Sequence, residues 1–234
     1  MRESGILMHI TSLPTPYGIG TMGKDAYAFV DFLVKAGQRC WQILPLTPTG
    51  YGDSPYQSLG ACAGNHYLID LDTLVDEGLL KKEEIQDISW GNNPKRVDFG
   101  AMYAHRMNVL RLAFQRFAPD EAYETFVEQN RSWLEDYALF TALKDTLGGK
   151  PWLDWPEALR LRKADALAEK RRELSEEIRL QFFAQYEFDK QWKALRSYAN
   201  AKGVRIIGDV PIYVPLDSAD VWANPELFQF DENN

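Results

Sequence analysis

Two aspartates stand where a carboxylate could act on a bound molecule: Asp53 in GYGDSPYQ, residues 50–57, and Asp209 in IIGDVPIY, residues 206–213. Paired carboxyl groups suit cleavage of a glycosidic bond, one protonated as the acid and one ionised, about 5 to 5.5 Å apart for retention or about 6.5 to 9.5 Å for inversion. Asp53, between Gly52 and Ser54, has an equal claim as a turn former whose side chain bonds its own backbone. Asp209 follows an apolar run and is the stronger functional candidate. Aromatic residues accompany both: Tyr51 and Tyr56 beside Asp53, Tyr213 after Asp209, and Trp222 in SADVWANPELF. A flat ring with a polar tip covers the apolar face of a pyranose while carboxylates and amides bond its hydroxyls. Trp222 is better placed in a core, Tyr213 suits core or site equally, and Tyr56, between Pro55 and Gln57 in a loop, is the ring least suited to burial.

Other reactive side chains are less informative. His9 lies in an apolar run and reads as a core histidine bonded to a backbone carbonyl, His66 beside Asn65 reads either way, and His105 on a charged helix reads as surface. Cys40 and Cys62 form neither a CxxC pair nor a metal-ligand spacing, and read as buried free thiols in a reducing cytoplasm. No GxGxxG, P-loop or HExxH occurs, so no nucleotide, metal or other cofactor is expected.

Three short apolar runs must position the candidates. Ile6 to Ile10 empties into Thr11, Ser12 and Pro14; Cys40 to Leu44 is an unbroken run leading to the Tyr51 to Gln57 loop; Val204 to Ile207 leads to Asp209. Each reads as a parallel strand, the unbroken second run implying cover on both faces. Between the first two, Ala26, Phe29, Val30, Leu33 and Val34 recur at helical spacing, and Gly37 is placed to stop that helix. Strand, helix, strand is a βαβ unit whose loops leave one carboxyl edge of the sheet. Amphipathic helices dominate from Leu79 to about Gly203, among them MYAHRMNVLRLAFQRFA, WLEDYALFTALKDTLGG and a long stretch from Ala166 to Gly203, with SWGNNPKRVDFG as an ordered surface loop between helices. The α/β order, with polar residues after every strand, predicts the first three strands of a (β/α)8 TIM barrel with a large helical insertion between strands two and three. The division expected is residues 1–78 as the start of the barrel with the Tyr51 to Gln57 loop, 79–190 as the insertion, and 191–234 as a barrel helix, the third strand and its following loop. Closing eight strands takes about 250 residues without insertions, so a barrel begun in 234 residues with so large an insertion is incomplete.

The chain is 45% hydrophobic with seven Trp, which predicts a substantial core. Its formal net charge of -8 repels phosphate backbones and excludes non-specific nucleic-acid binding. No run of about 18 apolar residues occurs, so no membrane span is expected.

LPLTPTGYGDSPYQSLGACAGNHYLIDL, IIGDVPIYVPLDSADVWANPELFQFDE and the opening GILMHITSLPTPYGIGTMG resemble the 4-alpha-glucanotransferases, the amylomaltase or disproportionating enzymes of the alpha-amylase superfamily. The resemblance implies transfer of alpha-1,4-glucan segments to glucose or another glucan by a retaining double displacement, without nucleotide or metal. By the same resemblance, loop residues Asp53 and Ser54 belong to the donor-site wall. Tyr56 stacks on or bonds the sugar where the covalent intermediate forms, and Tyr51 offers a platform for a more remote part of the glucan. Asp209 matches the aspartate that bonds sugar hydroxyls and orients the catalytic carboxylates, and is not the nucleophile. The family's nucleophile in an RIDH-type motif, its general-acid glutamate and a later aspartate are absent from this sequence, so no catalytic residue is assigned and the chain alone should be inactive. The expected partner is a malto-oligosaccharide or other alpha-1,4-glucan. Two other readings stay open: a non-catalytic glucan-binding or scaffold protein derived from a half-barrel, and a related alpha-glucan hydrolase.

Overall fold

The computed structural model describes residues 3–50 and 52–230. In chain order the elements are β1 (Gly5–Leu7), α1 (Lys24–Lys35), β2 (Cys40–Gln42), α2 (Leu71–Asp76), α3 (Phe99–Phe114), α4 (Glu121–Thr146), α5 (Glu157–Arg160), α6 (Ala164–Glu173), α7 (Ser175–Ala201), β3 (Arg205–Ile207) and α8 (Ala219–Ala223). The chain divides into two compact units, one of residues 1–46, 64–119 and 186–210, the other of residues 47–63, 120–185 and 211–234.

The first unit holds the sheet. Its strands are parallel in the order β1-β2-β3, and the α/β expectation holds at that level. Each strand is shorter than its apolar run. After β1 the backbone turns into a 3-10 helix at Ile10–Ser12, and β2 ends at Gln42, although the N–H of Ile43 still donates to the Ile207 carbonyl at 3.0 Å. Likewise β3 ends at Ile207, two residues before Asp209. Ile6, Trp41 and Ile206 are in register, and Trp41 is buried with its ring edge-on to Phe29 of α1, 5.0 Å between centroids. The next row, Leu7, Gln42 and Ile207, is exposed. Alternation along a strand explains why adjacent rows differ.

α1 ends where a left-handed glycine permits it. Gly37 has φ +68° and Gly203, after α7, has φ +75°, both stops readable from sequence. Asp70 ties the unit together. Its carboxylate accepts from Thr73 N at 2.8 Å as the N-cap of α2 and from Thr21 Oγ1 at 2.6 Å, while its own N–H donates to Gln191 Oε1 of α7 at 2.7 Å. Gly23 makes room for this carboxylate, since a Cβ there would lie 2.1 Å from Asp70 Oδ2.

The second unit is helical around an aromatic core. Trp222 is fully buried, its centroid 5.6 Å from Trp155 and 5.9 Å from Phe140, and its Nε1–H donates to the Leu159 carbonyl at 3.0 Å. The Arg162 guanidinium lies 4.2 Å from the Trp222 ring centroid, a cation on a desolvated π face. The core reading of Trp222 is therefore met. The stretch read as one long helix from Ala166 to Gly203 is two, α6 and α7, parted at Leu174, whose N–H still reaches the Lys170 carbonyl at 2.9 Å. Among the described residues no helix is long and apolar enough to cross a membrane.

Candidate functional site

Residues 47–63 of the second unit form a closed, self-bonded loop. Thr49 and Ser58 make an antiparallel bridge, Gly50 N–H donates to the Gln57 carbonyl at 2.8 Å, and Thr47 Oγ1 donates to the Pro55 carbonyl at 3.2 Å. Inside this ring the chain turns tightly. Asp53 N–H reaches the Gly50 carbonyl at 3.2 Å and Gln57 N–H the Ser54 carbonyl at 3.1 Å. Gly52 has φ +82° and Asp53 φ +57°, and aspartate is one of the few side chains that tolerate that region. The turn-forming role of Asp53 is thus visible in the backbone. Ser54 Oγ accepts from Tyr56 N–H at 3.3 Å, which fixes the start of the tyrosine's own segment.

The turn gathers three of the candidates, Asp53, Ser54 and Tyr56. Tyr56 is 44% exposed, so part of the side chain meets solvent. Tyr51 lies outside the described residues. Asp209 belongs to the first unit, two residues beyond β3, exposed, with one carboxylate oxygen accepting from Val210 N–H at 2.8 Å. Tyr213 is 86% exposed, which removes it from any core of the second unit.

Sequence reasoning missed what holds the loop in place. Asp220 on α8 accepts from Ala61 N–H at 2.9 Å, and Ala219 N–H donates to the Leu59 carbonyl at 2.9 Å. Ser58, buried, donates its hydroxyl to the Gly60 carbonyl at 2.8 Å. Ser218 in SADVW is a helix N-cap signal that could have located α8, but nothing local pairs Asp220 with residue 61.

The histidines and cysteines divide. Burial pushes His9 down to about 4, and its Nδ1 has no hydrogen-bond partner among the described residues, so the expected bond to a carbonyl is not formed at that atom. Burial first, and then the Arg106 charge, push His66 down to about 3. Both rings are neutral at pH 7, which suits packing rather than proton transfer near neutrality. His105 is half-buried, edge-on to Trp90 at 6.0 Å, and not on the open surface expected. Cys40 is buried as expected, whereas Cys62 is exposed, because it sits in the loop rather than under it.

Comparison with known proteins gives a consistent result. Residues 8–234 match the family model described as 4-alpha-glucanotransferase. A 4-alpha-glucanotransferase of Clostridium butyricum is 48% identical over 94% of this chain and 46% of its own length, and one of Thermus thermophilus is 50% identical over 99% and 46%. The solved amylomaltase of Streptococcus agalactiae in complex with acarbose superposes with a TM-score of 0.95 at 49% identity, covering 100% of this chain and 48% of that one. The chain spans about half the length of the relatives it matches. With a match that runs from residue 8 through both sequence stretches that carry Asp53 and Asp209, the chain belongs to the 4-alpha-glucanotransferase family.

Proposed function

We propose that this chain is the amino-terminal part of a glucanotransferase that moves alpha-1,4-glucan segments to glucose or another glucan, and that loop 50–57 is a wall of its donor subsite. The observation that carries this is the loop itself. Hydrogen bonds of 2.8 to 3.3 Å hold the turn that carries Tyr56, which is partly exposed, and preorganised aromatic surface of that kind binds sugars at low ordering cost. The acarbose bound to the Streptococcus agalactiae relative supports a saccharide-like ligand. Three parallel strands in sequential order support the start of a (β/α)8 barrel, with residues 79–190 read as an insertion into it. In this reading Asp209, beyond the end of β3, bonds sugar hydroxyls, and Asp53 and Ser54 shape the wall. The retaining nucleophile and general acid lie on later strands of the complete barrel. Two unpaired cysteines fit a reducing cytoplasmic setting.

The test is a pair of measurements on the purified chain. Maltoheptaose should bind, and Tyr56→Ala should weaken binding by about tenfold, the upper end for a stacked ring. Maltotriose should yield no glucose above a buffer blank. Unchanged affinity in the variant would remove Tyr56 from the site, and glucose release would sink the assignment of the catalytic carboxylates to later strands.

A further inference from the structure

Within the first unit, loops 11–19 and 88–97 line a half-open cavity of about 810 Å³, within the range that takes a small molecule. The two loops are built against each other. A Cβ on Gly18 would lie 2.4 Å from the Trp90 carbonyl oxygen, and Tyr17 meets the Trp90 ring edge-on at 6.3 Å. Each is also fixed from within. Thr15 Oγ1 donates to the Ile19 carbonyl at 2.6 Å, and Asn93 Oδ1 accepts from Lys95 N–H at 2.9 Å.

The lining has a definite electrostatic character. Lys95 and Arg96 contribute to it, and no aspartate or glutamate does among the described residues. In a chain of net charge -8 that is a local reversal of sign. Neither cation has a carboxylate partner among the described residues. Three acidic residues stand close to these loops: Asp87 directly precedes the second loop, and the other two are engaged elsewhere. Asp72 pairs with Lys82 at 2.5 Å and accepts from Tyr17, and Asp98 caps α3 by accepting from Ala101 N–H at 3.1 Å.

A third positive charge lies behind the wall. Arg106 of α3 is fully buried, with its guanidinium 5.8 Å from the Trp90 ring centroid. It donates through Nη2 to the carbonyls of Tyr67 (2.7 Å) and Ile69, while Nε and Nη1 have no partner among the described residues. Burial draws its pKa down to about 10, so it is cationic at neutral pH. The Asp70 carboxylate favours this charge but does not outweigh its desolvation, so part of the positive field remains for a further anion to relieve.

We propose that this cavity binds a phosphorylated sugar, with the phosphate on Arg96 and Lys95 and the hydroxyls on Ser12, Asn92 and Asn93. The planar fork of Arg96 matches a phosphate in bidentate fashion, and Lys95 adds a point charge. Hydroxyl and amide side chains supply donors and acceptors of the kind that read sugar hydroxyls. The site is distinct from loop 50–57, which carries no positive side chain.

Isothermal titration of the 234-residue chain with glucose 1-phosphate, glucose and inorganic phosphate tests this. Glucose 1-phosphate should bind about tenfold tighter than glucose. Its affinity should fall with added salt, and fall about tenfold in Arg96→Ala. Tyr56→Ala should leave it unchanged. Circular dichroism confirms that each variant is folded, and Lys95→Ala, at an exposed position, provides a second variant should Arg96→Ala unfold. Equal affinity for glucose and glucose 1-phosphate, indifference to both substitutions, or absence of binding by the folded chain would overturn the proposal. Inorganic phosphate binding as tightly as the sugar phosphate would overturn the sugar part of it.

Discussion

Mild acid should loosen the first unit through its two buried histidines. His9 and His66 are held down to about 4 and about 3, both chiefly by burial, whereas in an unfolded chain each titrates near 6.5. A histidine whose folded pKa is depressed is neutral in the fold and takes up a proton on unfolding. Its contribution is whole above the unfolded pKa and is lost as pH falls from about 6.5 toward the folded value. At about pH 5 each ring is some 1.5 units below its unfolded pKa, which costs about 2 kcal/mol apiece at 1.36 kcal/mol per unit, and about 4 kcal/mol together. That is a large share of a typical stability of about 5 to 15 kcal/mol. Asp72 acts in a lower window, below the ordinary carboxylate pKa of about 4, because its desolvation is outweighed by hydrogen bonds from Lys82 and Tyr17 and its pKa is lowered. Urea unfolding followed by far-UV circular dichroism, at about pH 7.5, 6 and 5, samples the histidine window and stays above that of Asp72. The midpoint should fall steadily between the first and last condition, and His66→Asn should flatten roughly half of that fall. A midpoint unchanged between about pH 7.5 and 5 would refute the reasoning, because nothing else then offsets two desolvated imidazoles.

Other outcomes follow from packing. Trp222→Ala should cost about 3 to 5 kcal/mol, the range for deleting a large buried ring, and Trp222→Phe less, since the Leu159 carbonyl loses the indole donor but keeps the Arg162 N–H at 3.1 Å; thermal melts would show the order. Gly23→Ala should cost about 1 to 3 kcal/mol in urea titration, since its Cβ meets the Asp70 carboxylate that caps α2 and binds Thr21. Asp220→Ala frees Ala61 N–H, so hydrogen exchange at residue 61 should quicken with little change in melting temperature. If exchange there is unaltered, α8 does not hold the loop.

The parts legible in sequence were those governed by short-range pattern. The parallel strands, α1 and the glycine stops after α1 and α7 follow from apolar runs, helical spacing and the left-handed freedom of Gly37 and Gly203. Strand ends were not legible, because Ile10 and Ile43 are buried and apolar whether or not they bond a neighbouring strand. The break at Leu174 was hidden because neither proline nor glycine marks it. At the candidate site, the turn chemistry of Asp53 and the partial exposure of Tyr56 were readable from GYGDSPYQ, while the Asp220 anchor was not, being a contact across 159 residues. Arg106 failed for the same reason. In MYAHRMNVLRL it reads as one more charge on an amphipathic helix, and only the carbonyls of Tyr67 and Ile69 show that it faces inward.

The loop carries its own attachment point for a spectroscopic label. Cys62 is exposed and Cys40 buried, so a maleimide dye should modify one thiol without mutagenesis. Desolvation, and after it the nearby Asp220 carboxylate, raise the Cys62 pKa, which keeps little thiolate at neutral pH and makes labelling accelerate as the buffer turns alkaline. A dye fixed there sits on the segment that presents Tyr56, and its anisotropy would report in real time whether the wall stiffens when a saccharide arrives.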